Sequence, residues 1–350
     1  MSIRKRKTVP GKILFALILV WGFPRNIQPQ SQSNTKPAAP QSSQSTKATS
    51  PQPSLTDQLA KSAAFITVPY GDAKKPNTVN GTCFFVAVPD ERMGKTGGFV
   101  YLVTNRHVAT AAGAPANQLL PEVYIRVNAS QKDGADTTSY NILPLTGKFR
   151  WYFPDDATVD LAVLPVVPKA EADIRAIPIS LFATDDVLKS RAIGIGDTVF
   201  FVGYLFQFAG SSRIAPIYRN GTIAMMPSDP IPMHEQDDDE GIEEHLDLAD
   251  AHAFHGNSGS PLFVNVGGYR NGTMLLGAPN IYLVGVVNGF IPETDTGKVT
   301  GAATFEGARG QLPNSGILTF VPAQELRDLL YSRPLQQVRD NDVAAAAGKH

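Results

Sequence analysis

The chain has 350 residues, of which 43% are hydrophobic and 18% charged, and a net charge of −1, so it can build a large buried core and lacks the basic footprint of a nucleic-acid binder. Its single cysteine, Cys83, excludes any disulfide within the chain, and the fold must rest on packing. Thirty glycines and 27 prolines punctuate short runs rich in Val, Ile and Phe without an internal repeat, which favours an all-β barrel or sandwich over alternating strands and helices and excludes solenoids and propellers.

The N-terminus reads as an export signal over residues 1–23. Arg4-Lys5-Arg6-Lys7 supplies a positive segment, and the apolar stretch 13–23 is short for a bilayer span. No Ala-x-Ala cleavage site follows, so a cleaved leader and a retained N-terminal anchor stay open as alternatives. The reading implies a periplasmic or secreted protein, with membrane contact only through such an anchor. Residues 24–54 are dominated by Gln, Ser, Pro, Thr and Ala, cannot bury enough surface to offset chain entropy, and read as a disordered linker.

From residue 62 the hydrophobic pattern changes to short strands, within a domain expected over 55–332. Segments 64–68, 83–88, 99–104, 123–127 and 160–166 predict a first barrel over about 62–170. Segments 198–203, 221–225, 246–251, 261–266, 282–287 and 316–320 predict a second over about 190–320. Apolar spacing over 322–330 predicts a short terminal helix, and 333–350 reads as a flexible tail.

Three strand ends carry chemistry. The run Tyr101-Leu102-Val103-Thr104-Asn105-Arg106 ends at His107, Asp160 stands at the mouth of Leu161-Ala162-Val163-Leu164, and His255-Gly256-Asn257-Ser258-Gly259-Ser260-Pro261 holds Ser258 between glycines before a strand. Each has a plain reading: a corner histidine, a strand-end aspartate, and a turn made of turn-forming residues. Together they give the order His, Asp, Ser, unlike the Ser-first order of the α/β-hydrolases or the Asp-first order of the subtilisins. A serine hydroxyl needs a base, an orienter of that base and an oxyanion hole to become a nucleophile, and all three are supplied in principle.

With Gly81-Thr82-Cys83-Phe84-Phe85-Val86 before the histidine and Gly285-Val286-Val287-Asn288-Gly289 after the serine, the chain resembles the trypsin/chymotrypsin-like serine proteases, in particular the bacterial HtrA/Deg-type and glutamyl-endopeptidase-type branches, over residues of about 62 to 332. The resemblance implies two antiparallel six-stranded β-barrels, a polypeptide substrate, no cofactor and no metal. It implies that His107, Asp160 and Ser258 form a catalytic triad and that the N–H groups of Gly256 and Ser258 form the oxyanion hole. His252 then falls at the floor of the substrate pocket, and Asn288, Gly289 and Phe290 along its wall. Val287 replaces the histidine with which glutamyl endopeptidases bind an acidic side chain, so a pocket bordered by Phe290 suits small or medium apolar residues. Asn257 stands where trypsin has the aspartate that pairs with a newly cut N-terminus, and no Ile/Val-Val-Gly-Gly start is present, so activity is expected without zymogen cleavage. The HtrA branch's regulatory peptide-binding domain finds no room after the terminal helix. Alternatives on the same fold are a catalytically silent binding module and an esterase or self-cleaving protease.

Three other features read as structural. His252-Ala253-Phe254-His255 lacks the third and fourth ligands a zinc site needs. The acidic run from Glu235 to Glu240, with Glu243 and Glu244 after it, lacks the alternation of a calcium loop and reads as a solvated insertion. Asn80, Asn220 and Asn271 each precede glycine, where hairpin turns explain the Asn-x-Ser/Thr pattern.

Overall fold

The computed structural model describes residues 54–347 except 113–117, 121, 131–136, 143–149, 206–209, 211–212, 234–241, 271–272, 276–280 and 294–313. The expected export signal, nearly all of the expected linker and most of the acidic run lie outside the described residues. In chain order the elements are α1 (Leu55–Ala60), β1 (Ala63–Asp72), β2 (Lys75–Pro89), β3 (Gly98–Thr104), α2 (Arg106–Ala109), β4 (Val123–Asn128), β5 (Thr137–Ile142), β6 (Ala162–Val166) and β7 (Ile177–Pro178). These are followed by α3 (Asp185–Arg191), β8 (Thr198–Gly203), β9 (Ile217–Met225), β10 (Ile231–Met233), β11 (Ile242–Glu244), β12 (Asp247–Asp250), β13 (Pro261–Asn265), β14 (Gly268–Arg270) and β15 (Thr273–Leu275). The chain closes with β16 (Ile281–Pro292), β17 (Asn314–Pro322), α4 (Ala323–Leu330) and α5 (Arg333–Ala347).

The expected all-β architecture is present. Six strands of the C-terminal half form a closed antiparallel barrel in the order β12-β17-β16-β13-β8-β9. The N-terminal half is a sheet of seven strands, in the order β5-β4-β1-β2-β3-β6 with β7 beside β2, and among the described residues β5 and β6 do not pair. One of the two expected barrels is thus closed by hydrogen bonds, and the described strands of the other half form a single sheet.

The uninterrupted apolar run in β2 has a geometric cause. Alternate side chains of a strand point to opposite faces, and here both faces are covered. Cys83 and Phe85 enter the interior of the N-terminal half with Ile66, Leu102 and Ile125. Phe84, Val86 and Val88 join a second core, which also draws Val202, Phe263, Val286 and Val321 from the barrel. Leu262 and Val264 face the barrel's own interior with Val199, Leu318 and Phe320. The core between the two halves holds them together.

Four local differences from the sequence reading have physical reasons. β2 begins at Lys75 rather than Cys83, because β1 and β2 form one long hairpin with register from Ala63↔Phe84 to Asp72↔Lys75. Its outer end is solvated, so hydrophobicity did not mark it. α3 is a short helix preceded by Thr184 as N-cap, with Asp185 and Asp186 in its first turn where negative charge meets the helix dipole. β11 brings Glu244 out of the acidic run into the protein. The expected flexible tail over 333–350 is instead helical from Arg333 to Ala347. Leu335 of α5 is fully buried against the interdomain core, and the buried Arg339 donates to the Tyr101 hydroxyl at 2.9 Å and to the Leu330 carbonyl at 2.8 Å. Two anchors spaced one helical turn apart dock the helix, and its alanine-rich end has high intrinsic propensity.

Candidate active site

α2 is a single turn that starts where β3 ends, and this places His107 at the rim of the N-terminal sheet. Asn105, its N-cap residue, sends its side-chain amide to the Asp160 carbonyl at 3.0 Å, tying the start of the turn to the segment entering β6. The Asp160 carboxylate then holds His107 twice. Its Oδ1 accepts from the His107 backbone N–H at 2.9 Å, and its Oδ2 lies 2.5 Å from the ring Nδ1. Two bonds to one residue fix both the position and the rotation of the imidazole, and they leave Nε2 as the outward nitrogen.

Burial disfavours the charged form of each partner, but the pair outweighs it. For His107, burial pulls the pKa down while the Asp160 charge, its hydrogen bond and the charge of Glu244 raise it, and the net shift is upward. For Asp160, burial pushes up while His107 pulls down more strongly through charge and hydrogen bond, and the net shift is downward. The imidazolium is therefore favoured at this position.

The serine turn is built on β2. Gly256 and Gly259 hold φ of 96° and 83°, in the left-handed region that favours glycine. At Gly259 a Cβ would stand 2.0 Å from the Thr82 carbonyl oxygen and 2.4 Å from Thr104 Oγ1, so the turn could not approach β2 with any other residue there. Thr82 is the clamp. Its N–H donates to the Ser258 carbonyl at 2.9 Å, its hydroxyl donates to the Gly256 carbonyl at 2.7 Å, and its own carbonyl accepts from Thr104. With both carbonyls drawn towards Thr82, the N–H groups of Gly256 and Ser258 have no hydrogen-bond partner among the described residues. Gly81 completes the seam, since a Cβ there would meet Val108 at 3.1 Å and the Ser258 carbonyl at 3.2 Å, bringing the residue after His107 against the serine turn.

Asn257 is fully buried and has an internal role. Its Oδ1 accepts from the Phe254 N–H at 2.8 Å and its Nδ2 donates to the Tyr204 carbonyl at 2.9 Å, so backbone groups engage both ends of the amide.

The Ser258 hydroxyl donates to the backbone carbonyl of Asn288 at 2.8 Å. Asn288, expected on the pocket wall, is buried and lies in a β-bulge of β16, where the register against β17 shifts between Val287 and Gly289. Its side-chain amide donates to Glu244 at 2.8 Å. Glu244 was not singled out from the sequence as a site residue, since an acidic run marks a solvated surface and only the fold folds its last member inward. Burial and the neighbouring Asp160 push its pKa up to about 7. Thr82 was likewise read only as part of a strand.

The remaining expected pocket residues are more dispersed. Phe290 is half-buried and meets the exposed His255 edge to face, with ring centroids 6.0 Å apart. Gly289 is buried beside Asn288 in β16. His252 is exposed and its ring lies against Gly316 of β17, where a Cβ would approach Cε1 to 3.2 Å. It also borders a cavity of about 510 Å³ shared with Leu205, Tyr218, Arg219 and Asp250.

Solved structures similar to this chain include Rv3671c from M. tuberculosis H37Rv, as the inactive form of a serine-to-alanine mutant, at 18% identity over 81% of this chain and 95% of that one with a TM-score of 0.38. They also include the HtrA-type protease AlgW with a decapeptide, at 17% identity, 79% and 66% coverage and a TM-score of 0.40. A serine-to-alanine form of AlgW with the same kind of ligand gives 17%, 79%, 67% and 0.39. No curated protein matches the chain significantly. The model of the trypsin-like peptidase domain matches residues 81–269, a span that begins at the glycine packed against the serine turn and runs through His107, Asp160 and Ser258. Since that match takes in more than half of the sequence, the chain belongs to the trypsin-like peptidase domain family.

Proposed function

We propose that the protein is a serine endopeptidase that cleaves polypeptides through an acyl-enzyme, with His107, Asp160 and Ser258 as its catalytic triad. The observation that carries the reading is the double hold of Asp160 on His107, beside a serine turn with two N–H groups that have no partner among the described residues. In this mechanism the Ser258 hydroxyl turns from the Asn288 carbonyl onto Nε2 of His107. It attacks the peptide carbonyl as the imidazole takes its proton. The imidazolium, stabilised by Asp160, then protonates the departing amine, and water enters by the same route to release the acid. The N–H groups of Gly256 and Ser258 receive the oxyanion, a contribution of about 3 kcal/mol per donor in such sites.

Two finer readings accompany this. The internally bonded Asn257 holds the turn without a chain terminus, so the enzyme needs no zymogen cleavage. The neutral pocket rim at Phe290, with Val287 buried, suits small or medium apolar side chains before the scissile bond. The basic and apolar N-terminal segment supports export to the periplasm or medium. A second reading, a silent binding module, is favoured by one observation, the engagement of the Ser258 hydroxyl by a backbone carbonyl.

Activity-based labelling separates the two. A fluorophosphonate should label the wild type and not Ser258→Ala, and a peptide library should be cut by the wild type alone. Folded wild-type protein that neither labels nor cleaves would overturn the protease reading and favour the binding module.

A further inference from the structure

Glu244 is a carboxyl group that the mechanism above leaves unused, although it is joined to the site by hydrogen bonds. Its Oε2 accepts from Asn288 Nδ2 at 2.8 Å, and the backbone carbonyl of the same Asn288 accepts from Ser258 Oγ at 2.8 Å. Asn288 is the extra residue of a bulge, so the β16–β17 ladder does not set the direction of its carbonyl. Val287 and Gly289 on either side are held by the ladder, and the side-chain bond to Glu244 adds a restraint on Asn288 itself. Because that carbonyl competes with His107 for the serine proton, its placement determines how readily the hydroxyl turns towards the imidazole.

Charge supplies a second link. Glu244 interacts electrostatically with His107 of α2 and with Asp160 of the segment before β6. On its own segment Glu243 is exposed, while His245 lies towards Asp156 and Glu325. No side-chain amine or guanidinium is among the groups that act on it.

We propose that Glu244 is a positioning residue of this proteolytic site, holding the bulged Asn288 whose carbonyl receives the Ser258 hydroxyl and placing a second negative charge behind His107. The proposal rests on the triad reading given above. Anionic Glu244 favours the imidazolium that forms as Ser258 attacks. Neutral Glu244 keeps the contact to Asn288 but withdraws the charge. Burial and Asp160 move the ionisation of Glu244 to about 7, within the pH range in which histidines ordinarily titrate.

The test compares wild type, Glu244→Gln and Asn288→Ala by fluorophosphonate labelling rate against pH, by peptide kcat and KM, and by NMR titration of His107 labelled at Cε1. Glu244→Gln keeps an acceptor for Asn288 and removes only the charge. It should lower the plateau labelling rate and kcat by about three- to tenfold with KM unchanged, and move the His107 titration and the acid limb of labelling to lower pH by about half a unit to one unit. Asn288→Ala keeps the charge and breaks the link, so it should slow labelling while the His107 titration stays in place. A purely structural role would lower thermal stability in both variants without moving His107. Superimposable His107 titrations and labelling profiles for wild type and Glu244→Gln would overturn the proposal. If the wild type fails to label at all, the protease reading fails instead, and the His107 titration still reports whether the coupling exists.

Discussion

Asp247 offers a stability prediction that is separate from catalysis. It lies on β12 between β9 and β17, is 6% exposed, and has its pKa raised to about 7, first by burial and then by the charge of Asp185. Its ordinary value is 3.8. The folded state therefore binds a proton that the unfolded chain has released over the interval between these values. Stability from this group is fully present below pH 3.8, falls as pH rises, and is lost once the folded carboxyl ionises near pH 7. Integrating between pH 5 and pH 8 gives a loss of about 2 to 3 kcal/mol, with at least about 1 kcal/mol expected after local relaxation. Asp247→Asn removes the ionisation and keeps the shape. Urea unfolding of both proteins at pH 5 and pH 8 should show the variant gaining about 1 to 3 kcal/mol relative to wild type over that interval. A difference between the two proteins that does not change with pH would refute the reasoning.

Other expectations follow from packing. Gly259→Ala puts a methyl 2.0 Å from the Thr82 carbonyl in a left-handed backbone, and it should destabilise the fold by about 3 kcal/mol or more by urea unfolding. Leu335→Ala opens a cavity beneath α5 and should cost about 2 to 4 kcal/mol in the same assay; a surface helix with no docking role would lose less than about 0.5 kcal/mol. Cys83 is fully buried, and burial pushes its thiol well above the ordinary range, so native protein should resist a thiol reagent that modifies it at once in denaturant.

How much of this was readable in the sequence depended on how local each signal was. His107, Asp160 and Ser258 each stand where an apolar run meets a polar corner, so strand ends and a glycine-flanked turn marked them without long-range information. The strands of the barrel announced themselves in the same way. Asn288 was marked too, but as a wall residue, since a bulge that turns its carbonyl to Ser258 depends on the pairing of β16 with β17. Glu244 was hidden for the opposite reason: neighbours such as Asp237, Asp238 and Asp239 dominate the local pattern, and its burial exists only once β11 lies beside the site. For α5 the signal was present in Leu335, Val338 and Arg339 at helical spacing, followed by Ala344 to Ala347, but it was masked by the polar residues between them. That β5 and β6 do not pair among the described residues is a matter of hydrogen-bond closure, which strand-length hydrophobic runs do not encode.

The central claim is that His107 makes Ser258 a nucleophile. It is tested most directly by peptide mapping of the fluorophosphonate adduct in wild type and His107→Ala. The account predicts one adduct, on Ser258, formed by the wild type and slowed by about 10³-fold or more in the variant, with both proteins folded. An adduct on another residue, or equal rates of modification at Ser258 with and without the imidazole, would contradict it.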